Sequence, residues 1–146
     1  MDKDLPPIAK DAEQLLRAIL KATARFSRRH RYTLGSRLEL GAYAIVRYIN
    51  RAHRQHSQQG RWLSELKWEI DEIRVNLQLA KESEALRGFA EFEVLIRLAE
   101  SLGRQAGGWL RQHQQHPRGQ NSDRCDGQER AQTLSTRPAS PAGAHP

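Results

Sequence analysis

Few side chains in this sequence are placed to carry out chemistry. His53 and His56 stand one helical turn apart, a spacing that would seat a metal ion, but no third ligand accompanies them. Among so many arginines the two imidazoles read as additions to a basic face, and no metal site is assigned. Glu69 and Glu72 are close enough on one helix for acid–base work, yet Lys67 and Arg74 flank them in the manner of a solvated face. Cys125 is the only cysteine, so the chain can form neither an internal disulfide nor a thiolate cluster. No GxxxxGK[ST] phosphate loop and no HExxH zinc pair occurs. Catalysis needs several polar groups converging on a pocket, and the sequence offers no such set. The expectation is a protein that is not an enzyme and carries no cofactor.

Binding chemistry is a different matter. From Arg17 to Arg61 there are eleven basic residues against the single acid Glu39, a net +10. From Trp62 to His113 there are seven basic and nine acidic residues, a net −2, so the overall +7 hides a strong asymmetry. Ten of the eleven bases are arginine, whose planar fork pairs bidentately with phosphate and stacks on bases, whereas lysine is a point charge. On a helical wheel Arg17, Lys21, Arg25 and Arg28 fall within an arc of roughly 80°, opposite Ile8, Leu15, Ile19 and Phe26. Arg37, Arg47, Arg51 and Arg54 cover roughly 100° of the next helix, away from Leu38, Ala42, Ile45 and Ile49. Arg28, Arg29, His30 and Arg31 form a corner between the two stripes, which adjacent helices would merge into one field. Most charge runs are only solvated faces. The near-total exclusion of acids here favours RNA or DNA, held through phosphate with weak sequence preference and steep salt dependence. An acidic protein surface or anionic lipid is the alternative ligand.

Four helical stretches position these charges. The first begins after Pro6 and Pro7, which suit a helix start, and turns Ile8, Ala12, Leu15, Leu16, Ile19, Thr23 and Phe26 inward. The second runs from about Tyr32 to Gln58, with Leu34, Leu38, Ala42, Ile45, Ile49 and Ala52 inward and Gly60 as its breaker. In the third, Leu63, Leu66, Ile70, Ile73, Leu77 and Ala80 step by three and four residues, a strict heptad seam. Ser83 and Glu84 suggest a capped restart. The fourth helix repeats the spacing with Phe89, Phe92, Ile96, Ala99, Gly103, Ala106 and Leu110. No alternating run competes as a strand. The fold expected is all-α, an antiparallel up-down-up-down four-helix bundle over residues 1–113.

Two features admit more than one reading. Val75, Leu79, Leu95, Leu98 and Leu102 are apolar positions beyond the core stripes; they either widen the core or form an oligomer interface. Gly103, Gly107 and Gly108 precede Trp109, either for close packing within the bundle or to let Trp109 fill a groove on a partner or another subunit. Residues 114–146 hold one large aliphatic, Leu134, too little apolar surface to offset the entropy of ordering, and read as a disordered C-terminal tail. No apolar run is long enough to span a bilayer and the N-terminus lacks a signal-peptide pattern, so a cytoplasmic location without membrane contact is expected.

The stretch Phe26-Ser27-Arg28-Arg29-His30-Arg31-Tyr32-Thr33-Leu34-Gly35 and the closing Gly103-Arg104-Gln105-Ala106-Gly107-Gly108-Trp109-Leu110 resemble the accessory variability determinant (Avd) proteins of diversity-generating retroelements. The span Leu66 to Ala80 is similar to the same family's third helix, and the likeness covers roughly residues 8 to 111. Ser27 stands where the family often has proline, and this chain continues past Trp109 where members tend to stop. The resemblance implies a non-catalytic four-helix bundle assembling as a homopentamer. It also implies partnership with the element's reverse transcriptase and template RNA or cDNA during mutagenic retrohoming. The positions that match are Arg28, Arg29 and Arg31 of the corner and Gly107, Gly108 and Trp109 of the ending. The four-helix-bundle proteins encoded in ribosomal-RNA intervening sequences share the architecture, and with a generic oligomeric scaffold form the alternative reading.

Overall fold

The computed structural model describes residues 4–116. Among them are four long helices and no strand: α1 (Pro7–Thr23), α2 (Ser36–Arg54), α3 (Gln59–Glu82) and α4 (Phe89–Gln115). Of the expected tail, 117–146 lies outside the described residues, and Cys125 with it. α1 packs on α2 and α4, α2 on α3, and α3 on α4. The heptad seam of α3 forms the centre: Leu63, Leu66, Ile70, Ile73, Leu77 and Ala80 are all at most 1% exposed. Burying each of the five large members stabilises the fold by about 1.5–3 kcal/mol. Leu15 and Ile19 of α1, Leu38, Ile45 and Ile49 of α2, and Phe92, Leu95, Ala99 and Leu102 of α4 close around it.

The helix ends follow local chemistry. Pro7 occupies the first turn of α1, where its missing N–H has no helical partner to lose. Past Phe26, the turn Arg28–His30 runs into a π-helical turn, Arg31–Gly35, directly before α2. This wider turn lets Gly35 sit against Phe26, where an added Cβ would lie 3.4 Å from the ring. The second expected helix is therefore interrupted at its start. It also ends earlier: Gln55, at φ −106° and ψ 78°, breaks it, not Gly60. Gln59 Nε2 donates to the Ala52 carbonyl (2.8 Å) at the end of α2 and seals the break. Gly60 falls within the first turn of α3, where a glycine only weakens a helix by about 1 kcal/mol relative to alanine.

The expected restart at Ser83 is instead the end of α3. Ser83 Oγ donates back to the Leu79 carbonyl (2.8 Å), Glu84 adopts the left-handed conformation at φ 60°, and the Ala85 N–H reaches the Ala80 carbonyl (2.9 Å). With the Glu84 N–H on the Lys81 carbonyl (3.1 Å), this is a Schellman ending carried by a glutamate where glycine is usual. α4 starts only at Phe89, and Phe89 itself is 66% exposed instead of inward, its ring 6.0 Å from that of buried Phe92. Among the surplus apolar residues, Leu95 and Leu102 are buried and Leu98 packs against the core, so these three widen it. Val75 and Leu79 stay exposed, and Trp68 joins them on the outer side of α3.

Candidate nucleic-acid interface

All ten basic residues of the expected face, Arg17, Lys21, Arg25, Arg28, Arg29, Arg31, Arg37, Arg47, Arg51 and Arg54, are exposed. The helical period accounts for this. On α1 the buried stripe of Ile8, Leu15, Ile19 and Phe26 leaves the opposite side to Arg17 and Lys21; on α2 Leu38, Ala42, Ile45 and Ile49 leave it to Arg47 and Arg54. The two rows do not all lean together. Arg25 Nη2 reaches Glu91 Oε1 on α4 (3.2 Å), and Arg51 lies over Trp62 on α3, so both turn away from the seam between α1 and α2. Arg17 is paired with Glu13 one turn back (3.6 Å). Lys21, Arg28, Arg29, Arg31 and Arg37 meet no carboxylate at ion-pair distance among the described residues.

The most structured part is the outer side of α2 and its border with α3. Arg47, Asn50, Arg51, Arg54 and Gln55 line a shallow depression of about 430 Å³. Beside it the Tyr48 and Trp62 rings stack at 5.9 Å with an interplanar angle of 20°. Cations dress these rings: Arg47 lies 5.4 Å from the Tyr48 centroid, and Arg51 and Arg61 lie 4.8 and 5.0 Å from that of Trp62. Trp62 Nε1 donates to Gln55 Oε1 (2.8 Å), which holds the indole at the break after α2. Such contacts orient the guanidinium groups, each worth about 0.5–1 kcal/mol at an exposed site. Trp62, Tyr48, Asn50 and Gln55 did not stand out in the sequence. The available signal was Trp62 directly before the first seam residue, Leu63, which turns its ring toward α2.

Across this border runs an acidic row, Glu65, Glu69 and Glu72. Burial and then its acidic neighbours push the Glu69 carboxyl above its usual value, while Arg47 opposes the shift. Glu69 Oε2 also lies near Gly41, where α2 and α3 come so close that an added Cβ would stand 3.0 Å from Ile73 Cγ1. Glu39, the one acid of the basic segment, is turned inward to accept the hydroxyl of buried Thr23 (2.6 Å). It therefore joins α1 to α2 and does little to dilute the outer charge.

His53 is half-buried and His56 exposed, and among the described residues no group of three or more His, Cys, Asp or Glu comes together. The closing motif departs from the packing reading. At Gly107 an added Cβ would meet only Arg111 Nη1 at 3.9 Å, and at Gly108 only Arg111 Nη2 at 4.0 Å, so no neighbouring helix requires either glycine. Trp109 packs partly against the core of its own chain. No helix among the described residues is long and apolar enough to cross a membrane.

Comparison with known proteins agrees with the resemblance drawn from the corner and closing motifs. No match was found among curated proteins or among solved structures. A family model described as bAvd-like matches residues 8–113, which takes in all four helices and the basic rows. The chain belongs to the bAvd-like family.

Proposed function

We propose that this protein is a non-catalytic, cytoplasmic nucleic-acid-binding accessory of a diversity-generating retroelement. In this reading it holds template RNA or cDNA and works with the reverse transcriptase during retrohoming. The observation that carries it is the exposure of all ten basic side chains on α1, the corner and α2, with Arg47, Arg51 and Arg54 gathered around one depression. Guanidinium groups around a shallow, open depression suit a phosphate backbone and leave little to read base sequence. For the transcriptase partner the support is the family resemblance alone.

The architecture in this reading is an antiparallel up-down-up-down bundle. Asp11 with Gln105 and Arg25 with Glu91 link opposite ends of α1 and α4, and Gln59 with His113 and Lys81 with Phe92 do so for α3 and α4. The assembly is a homo-oligomer, with five copies as the family likeness implies. Trp68, Val75 and Leu79, exposed and flanked by Glu65, Asp71 and Glu72, would meet a second copy on the side away from the α2 arginines. Gly107 and Gly108, with Trp109 beside them, would admit a close backbone approach from that copy.

The test is a pair of triple variants. Arg47→Gln, Arg51→Gln and Arg54→Gln should weaken RNA and DNA binding without loss of helicity. Lys67→Gln, Arg74→Gln and Arg97→Gln remove the same charge from the mixed half, where Arg74 and Arg97 are paired with Asp71 and Glu93, and should matter much less. Equal losses would leave only net charge, and no loss in either would turn the basic face into solvated surface.

A further inference from the structure

Phosphate binding explains the arginines of α2 but not the apolar residues set among them. Leu40 is 67% exposed and Tyr43 51% exposed on the outer side of the same helix, in line with Arg47 and Arg54 at steps of three, four and seven residues. At the corner Tyr32 is 75% exposed beside Arg28, Arg29 and Arg31. Among the described residues neither Tyr32 nor Tyr43 stacks on another ring or carries a cation, whereas Tyr48 and Trp62 are occupied on one another and by Arg47, Arg51 and Arg61. The α2 face therefore presents one uncovered apolar pair, Leu40 and Tyr43, between Arg37 and the row Arg47, Arg51 and Arg54.

A duplex offers phosphates outward but keeps its base faces stacked inside. An unpaired strand offers both, with a phosphate for each guanidinium and a base face for each free ring. From Leu40 to Arg54 the row spans about 21 Å at 1.5 Å per residue, room for a few nucleotides of extended chain. An acidic protein surface would satisfy the arginines, but only an unpaired strand supplies a charge and a flat ring in every repeating unit.

We propose that this face is built for single-stranded nucleic acid, with Tyr43 on α2, backed by Leu40, and Tyr32 at the corner as base-stacking residues that set the preference for single strand over duplex. The inference rests on the nucleic-acid reading above.

The experiment measures the affinity of the full chain for a fluorescent mixed-sequence RNA oligonucleotide, alone and annealed to its complement, by anisotropy at one fixed salt concentration. The wild type should bind the single strand more tightly. Tyr43→Ala should weaken single-strand binding by at least about fivefold, the lower end of what one base stacked on an aromatic ring contributes, and should leave duplex binding within about twofold. Tyr43→Phe should retain the wild-type preference, since the ring and not the hydroxyl stacks. Tyr32→Ala should act in the same direction. Equal losses on both ligands, or no loss on either, would overturn the inference. So would a fall in oligomeric mass with Tyr43→Ala, which would make the ring a subunit contact. The arginine triple variant separates the two layers. If it weakens both ligands while the tyrosine variants change nothing, the basic face stands and the stacking inference fails. If it changes neither ligand, the nucleic-acid reading itself fails.

Discussion

Replacing Val75 and Leu79 together by serine tests the second-copy contact on α3. The two side chains are 57% and 45% exposed and border a groove of about 640 Å³ that Phe92 and Ile96 complete. Full burial of such a side chain is worth about 1.5–3 kcal/mol, so covering the half still in water adds roughly 1 kcal/mol each. Losing both should weaken one subunit contact by about 2 kcal/mol, or about thirtyfold in association. Neither residue belongs to the buried seam, so helicity should persist. Sedimentation velocity over a concentration series should find the wild type several times heavier than one 16.7 kDa chain, and the double variant dissociating at about thirtyfold higher concentration. Leu40→Ser on α2 is the control and should leave assembly unchanged. A wild type that sediments as a single chain throughout, or a double variant that dissociates at the wild-type concentration, would refute the reasoning.

Three further expectations rest on single residues. Glu84→Gly should stabilise the fold by about 0.5–1 kcal/mol, read as a higher melting temperature, because glycine adopts φ 60° without the left-handed penalty; Glu84→Ala keeps that penalty and should bring no gain. Glu69 is raised above 4.5 in the folded chain, so its ionised form opposes folding at neutral pH and that opposition disappears as pH falls through the folded value. Glu69→Gln should accordingly be more stable than wild type at pH 7 in denaturant titrations, with the difference gone below about 4.5. Gly41→Leu should destabilise by about 1–3 kcal/mol through overpacking against Ile73, measured by the same titrations.

The core was legible because helical burial leaves a period. The three-and-four stepping of Leu63 through Ala80 corresponds residue for residue with the side chains most fully withdrawn from water. Helix ends were less so. Gly60 reads as a breaker by type, but a first-turn glycine is tolerated, and the actual break depends on Gln59 reaching the Ala52 carbonyl, a contact no propensity encodes. Ser83 favours a cap by type, and whether it caps a start or an end depends on Glu84 turning left-handed. Periodicity also gave Phe89 and Phe92 the same standing, although only Phe92 is buried. At the basic face the types and outward direction of the arginines were readable from the wheel. Their partners were not: Arg25 on Glu91 and Arg51 on Trp62 depend on which helices are neighbours. Leu40 and Tyr43 carry no such signal, because the same wheel that marks arginines as outward has no rule for an apolar residue among them.

The claim that α2 holds nucleic acid through phosphate is tested most directly by the slope of log affinity against log salt for a single-stranded RNA. Each phosphate contact contributes about 0.7 to that slope on a single strand. If Arg47, Arg51 and Arg54 each meet a phosphate, their replacement by glutamine should make the slope shallower by about two units, while the Lys67, Arg74 and Arg97 replacements leave it near the wild-type value. An unchanged slope in the α2 variant, or the same change in both, would contradict the account.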